Sequence, residues 1–71
     1  GRKMIGERFR EHRTALGMTQ AEMAERLLVS QPMVAQVEAG VKTPTVGMVR
    51  LAAEVFGCTT DELILGKRES A

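Results

Sequence analysis

A chain of 71 residues has room for one hydrophobic core and not for two, and a net charge of +1 from ten Lys and Arg against nine Asp and Glu excludes a polycation that coats nucleic acid without discrimination. No run approaches the roughly 18 apolar residues of a membrane span and no signal-peptide pattern is present, so the mature chain is expected to be soluble and cytoplasmic. Its single cysteine, Cys58, excludes an internal disulfide, and with His12 the only histidine no metal cluster of known spacing can be assembled.

The segment before Gly17 reads as a first helix with Ile5, Phe9, His12 or Arg13, and Leu16 on one face. Residues 1–3 ahead of it read as a flexible arm or a tag remnant before Met4. Thr19 and Glu22 fit the S/T-x-x-E capping box and open a second helix, whose Met23, Ala24 and Leu27 share a face. Ser30 caps a third, lined inwardly by Val34, Val37 and Val41. Pro44 and Thr45 open a fourth, with Val46, Val49, Ala52, Val55 and Phe56 on its inner side. Thr59 and Glu62 repeat the capping box before a fifth, which offers Leu63 and Ile64. Gly17, Gly40, Gly57 and Gly66 each follow one of these segments, where a left-handed C-terminal residue belongs. Met18, Met23 and Met48 fall near the same faces and read as adaptable core filler. Residues 67–71 read as a flexible tail. With no period-two alternation in any window, the expected fold is all-α, a compact five-helix bundle forming one domain over residues 1–71.

The third helix is unusual on its outward side, where Gln31, Pro32, Ala35, Gln36 and Ala39 bring neither charge nor a large aliphatic group. Most exposed helix faces carry Lys and Glu. Small residues and amides suit close approach to a flat polar partner such as the edges of DNA bases, since an amide can bond adenine at two places. Two glutamines alone do not outweigh an ordinary solvated face. Their surroundings do: Thr19 and Gln20, Ser30 and Gln31, and Pro44 and Thr45 form three helix N-termini whose free N–H groups and dipoles can receive phosphate.

From Phe9 to Gly66 the chain resembles the helix-turn-helix domain of phage repressors and Cro proteins, the XRE type. The motifs are "LGMTQAEMAERL" for the end of helix 1 and helix 2, "VSQPMVAQVEAG" for the recognition helix, "TPTVGMVRLAAEVFG" for helix 4 and "TTDELILG" for helix 5. The resemblance implies that Gln31, Pro32 and Gln36 face base edges, with van der Waals contact from Pro32 or Met33 to thymine methyls. It also implies phosphate contacts from Gln20, Ser30 and the Lys42 to Thr43 loop, beside the helix ends at Thr19 and Thr45. Arg13 and Glu38 match a buried ion pair between helix 1 and the recognition helix. Such domains act as homodimers on inverted half-sites, and Val41, Leu63, Ile64 and Leu65 are the candidates for the dimer contact. One departure stands out. Leu28 occupies the elbow position where the family usually has Gly, and left-handed geometry there costs a non-Gly residue about 1 to 2 kcal/mol.

The expected function is therefore sequence-specific binding of double-stranded DNA by a transcriptional regulator, a repressor by preference, with no cofactor. An enzyme finds no support, because the His, Ser and Cys side chains form no nucleophile and base pair. The competing reading is an antitoxin or protein-interaction module with a partner such as a toxin.

Overall fold

The computed structural model describes residues 4–66, so the expectations for residues 1–3 and 67–71 lie outside the described residues. Five helices follow in order: α1 Ile5–Ala15, α2 Gln20–Leu27, α3 Gln31–Glu38, α4 Val46–Phe56 and α5 Thr60–Leu65. Among the described residues there is no strand.

Local chemistry sets the helix starts. Thr19 Oγ1 accepts the Glu22 N–H at 3.1 Å while the Glu22 carboxylate accepts the Thr19 N–H at 2.9 Å. Thr59 and Glu62 make the same reciprocal pair at 3.1 Å in both directions. Ser30 and Thr45 cap α3 and α4 from one side, accepting from Met33 and Met48. At α1 there is no hydroxyl to do this, and the Glu7 carboxylate instead accepts the Met4 N–H at 2.9 Å. All four glycines expected at helix ends have positive φ, between 70° and 79°.

The core forms where the inner faces of all five helices meet: Phe9 from α1, Met23 and Leu27 from α2, Val34 and Val37 from α3, Met48 and Ala52 from α4, and Leu63 from α5. Around it the periodic pattern overshoots at helix ends. Leu16 caps α1 and is half exposed; Val46 begins α4 and is 76% exposed; Val41 is not in α3, which ends at Glu38, and is 71% exposed. Leu16 and Val46 stand at the ends of their helices, and Val41 lies beyond the end of α3, after the left-handed Gly40. Ile64 is likewise about half exposed.

Two side chains competed for the same place on α1, and both have partners. The His12 ring stacks on Phe56 with centroids 4.8 Å apart, Phe56 meets Phe9 edge-on at 6.0 Å, and Arg13 turns instead toward α3. Two further contacts were not visible in the sequence. A Cβ on Gly6 would lie 2.0 Å from the Val37 carbonyl oxygen, so the backbones of α1 and α3 touch where only glycine fits. The Arg8 guanidinium donates to the carbonyl oxygens of Leu63 and Ile64, satisfying the C-terminal end of α5 with a cation.

Candidate nucleic-acid interface

The elbow between α2 and α3 lies at Leu28, with φ 59° and ψ 39°. Its N–H reaches the Glu25 carbonyl, and the next N–H, of Val29, bonds the Ala24 carbonyl at 3.0 Å. This pair of bonds is the Schellman closure normally built around glycine. The Leu28 side chain points out, 81% exposed, while Val29 packs against the core. Two residues on, Ser30 caps α3, and the Gln31 side chain at the start of α3 reaches that of Gln20 at the start of α2, 2.9 Å away.

Burial divides α3 as its spacing requires. Val34 and Val37 are 1% exposed; Gln31, Pro32 and Ala39 are exposed; Ala35 and Gln36 are half-buried at the edge of the same face. Met33 packs partly against the core, whereas Pro32 is exposed.

Behind this face lies the ion pair. Arg13 Nε donates to Glu38 Oε2 at 2.7 Å and Nη2 to Oε1 at 3.0 Å, with side chains 12% and 4% exposed. Arg13 Nη1 also donates to the Met18 carbonyl at 2.7 Å, tying in the α1–α2 loop. Bonding to Glu38 raises the Arg13 pKa above its usual value, and burial opposes this more weakly. Gln20 Nε2 donates to Glu38 Oε1 at 3.1 Å, and Gln31 Nε2 donates to Gln20 Oε1 at 2.9 Å. Gln20 is therefore not simply turned out to meet phosphate: its amide spends one N–H and its oxygen inside the protein, leaving one side-chain N–H and the helix terminus. The sequence marked Gln20 and Glu38 separately, and the link between them needed the α2–α3 packing to be seen.

The other phosphate candidates fall into two groups. Thr19, Ser30 and Thr45 are exposed helix caps whose hydroxyl oxygens accept from the helix, an arrangement that leaves each O–H to donate. Lys42 and Thr43 are exposed in the loop after α3, where the N–H groups of Val41 and Lys42 both fold back onto the Gln36 carbonyl.

Among the dimer candidates, Leu63 requires correction. At 0% exposure it closes the core and has no surface to offer a second chain. Ile64 and Leu65 remain exposed, beside Met4 and Val46 in an open groove of about 990 Å³, whereas Val41 stands apart from it.

The fold is shared with known proteins. A family model described as helix-turn-helix matches residues 9–63. The chain belongs to the helix-turn-helix family. In its XRE type this is a family of DNA-binding transcriptional regulators. The chain is similar to the P22 c2 repressor solved in complex with a synthetic operator, with 26% identity and a TM-score of 0.87 over 93% of this chain and 100% of that one. It is also similar to the restriction-modification controller protein C.AhdI from Aeromonas hydrophila, with 28% identity and a TM-score of 0.77 over 84% of this chain and 91% of that one. A transcriptional activator of Enterococcus faecalis, BcrR, is 31% identical over 63 residues, which are 89% of this chain. The chain spans 31% of the length of that activator. Among the described residues, no helix is long and apolar enough to cross a membrane.

Proposed function

We propose that this domain binds double-stranded DNA in a sequence-specific manner, with α3 in the major groove, as a transcriptional repressor. The observation that carries the reading is the make-up of α3: an outward face of Gln31, Pro32, Ala35, Gln36 and Ala39 with no charge, braced from behind by a nearly buried ion pair. An uncharged face of amides and small groups admits base edges closely, and the bracing fixes how it is presented. Gln31 and Gln36 read bases, and Pro32 supplies an apolar contact. Thr19, Gln20, Ser30, Lys42, Thr43 and Thr45 hold phosphates from the helix ends and the α3–α4 loop.

The P22 c2 repressor, solved in complex with a synthetic operator, supports DNA as the target; for the direction of regulation it favours repression, while the activator BcrR is the relative on the other side. The domain binds an inverted-repeat operator as a homodimer, its contact made by exposed Ile64 and Leu65, with Val41 as the other exposed candidate. DNA as the target implies a cytoplasmic location.

The test is selection of bound duplexes from a random pool, then titration of the selected and a scrambled duplex at several salt concentrations. The reading predicts an enriched palindromic site, and binding to both duplexes that falls steeply with salt. Absence of an enriched site would refute sequence-specific reading, and salt-insensitive binding would refute phosphate contact.

A further inference from the structure

We infer that the open groove between α1, α4 and α5 docks an amphipathic helix of a partner protein, one whose apolar face is flanked by carboxylates, and that this helix displaces a second copy of the chain from Ile64 and Leu65. The displacement rests on the proposed homodimer; the docking does not.

Exposed apolar surface is concentrated in this groove. Of the seven large apolar side chains exposed among the described residues, four line it: Met4, Val46, Ile64 and Leu65. A contiguous patch of this kind on a small domain marks a contact site.

The walls of the groove are helices, and this selects the form of the occupant. An extended segment would bring backbone N–H and C=O groups with no strand edge to pair with, since no strand occurs among the described residues. A helix satisfies its own backbone and lays residues spaced i, i+3 and i+4 into the groove. An alkyl acid would leave one side of its chain in water, because the groove is open.

Charge selects the composition. The charged side chains lining the groove are Arg8 and Arg50, and no Asp or Glu lines it. Arg8 is held against the end of α5 by the carbonyl oxygens of Leu63 and Ile64, so the exposed Arg50 is the cation presented to an incoming segment. A second copy applied two-fold would set these arginines against a face that likewise carries arginine and no carboxylate. It buries apolar area without a charge complement, whereas an acidic helix supplies both.

The experiment selects from phage displaying random peptides long enough for about four helical turns, with the whole chain as target. Wild type, Val46→Asp and Arg50→Glu are compared. Both positions are exposed, and Val46 is the first residue of α4, where a carboxylate suits the helix dipole. Wild type is expected to enrich peptides of net negative charge with apolar residues at helical spacing, whose synthetic forms gain helical circular dichroism on binding. Both variants should bind them about tenfold more weakly or worse, and Arg50→Glu should enrich peptides bearing Lys or Arg instead. Enrichment of peptides without acidic residues, or binding that neither variant weakens, overturns the docking. So does the absence of any enriched acidic peptide; self-association lost in both variants would then name a second copy as the occupant, and dodecanoate binding lost in both would name a small acid. The displacement is read from the number of copies on a selected duplex, which the peptide should reduce from two to one. Two copies retained with the peptide bound overturn the displacement and leave the docking. A duplex that carries one copy without peptide shows that the homodimer reading has failed, and the displacement falls with it.

Discussion

Leu28 and Gly57 hold the same left-handed conformation at the ends of α2 and α4, with φ and ψ of 59° and 39° for the leucine and 70° and 35° for the glycine. The closing bonds match too: Val29 to Ala24 and Cys58 to Ala53, each at 3.0 Å. The helix-turn-helix elbow is thus formed without glycine, by a residue whose side chain is 81% exposed and gains little from packing. The penalty for a Cβ in this region, about 1 to 2 kcal/mol, is carried by the surrounding core.

Leu28→Gly is therefore expected to stabilise the domain by up to about 1 kcal/mol, because relief of strain slightly exceeds the entropy glycine adds to the unfolded chain. For a domain of this size that is a rise of about 4 to 8 °C in Tm per kcal/mol. A fall in Tm would mean that the Leu28 side chain contributes more than its exposure implies.

Gly6 and Gly47 both lie inside helices, and the same substitution should move them in opposite directions. A Cβ at Gly47 meets nothing nearer than Thr45 Oγ1 at 3.9 Å, so Gly47→Ala should stabilise by about 0.5 to 1 kcal/mol through helix propensity. At Gly6 the Cβ would lie 2.0 Å from the Val37 carbonyl oxygen, and α1 must move away from α3 to admit it. Gly6→Ala should cost about 1 to 3 kcal/mol despite the better helix former. Denaturant midpoints check the pair, and equal shifts would contradict the α1–α3 contact.

The Arg13 and Glu38 side chains are 12% and 4% exposed, a largely but not fully buried pair. Removing one partner strands the other, so Arg13→Ala and Glu38→Ala should each lose about 3 to 5 kcal/mol; an exposed pair would lose about 1 kcal/mol at most. Wild-type midpoints in urea for both variants would show that the pair does not hold α1 to α3.

Much of this was legible because small side chains act locally. The capping pairs Thr19–Glu22 and Thr59–Glu62 and the glycines after each helix mark ends through bonds that span only a few residues. Apolar spacing located the core helices, and it failed at Leu16, Val46 and Ile64, which are exposed, and at Val41, because α3 ends at Glu38 and Gly40 turns the chain. Leu63 shows the same limit from the other side, an apolar residue near the C-terminus whose burial depends on α1 and α4 packing over it. Gly6 and Arg8 were missed for one reason: each answers to a backbone carbonyl on another helix, and carbonyls are the same in every residue. At the interface, residue types marked the amides of α3, while the relay from Glu38 through Gln20 to Gln31 needed three helices in place.

The most direct test of the outward face of α3 as the reading element is the affinity of Gln31→Ala and Gln36→Ala for the selected site and for a scrambled duplex, measured beside Lys42→Ala across several salt concentrations. Each Gln variant should lose about 1 to 3 kcal/mol on the selected site and almost nothing on scrambled DNA. Lys42→Ala should weaken both and lower the slope of log K against log salt by about one unit. If the Gln variants lose both kinds of binding equally, or lose neither, α3 does not read the sequence.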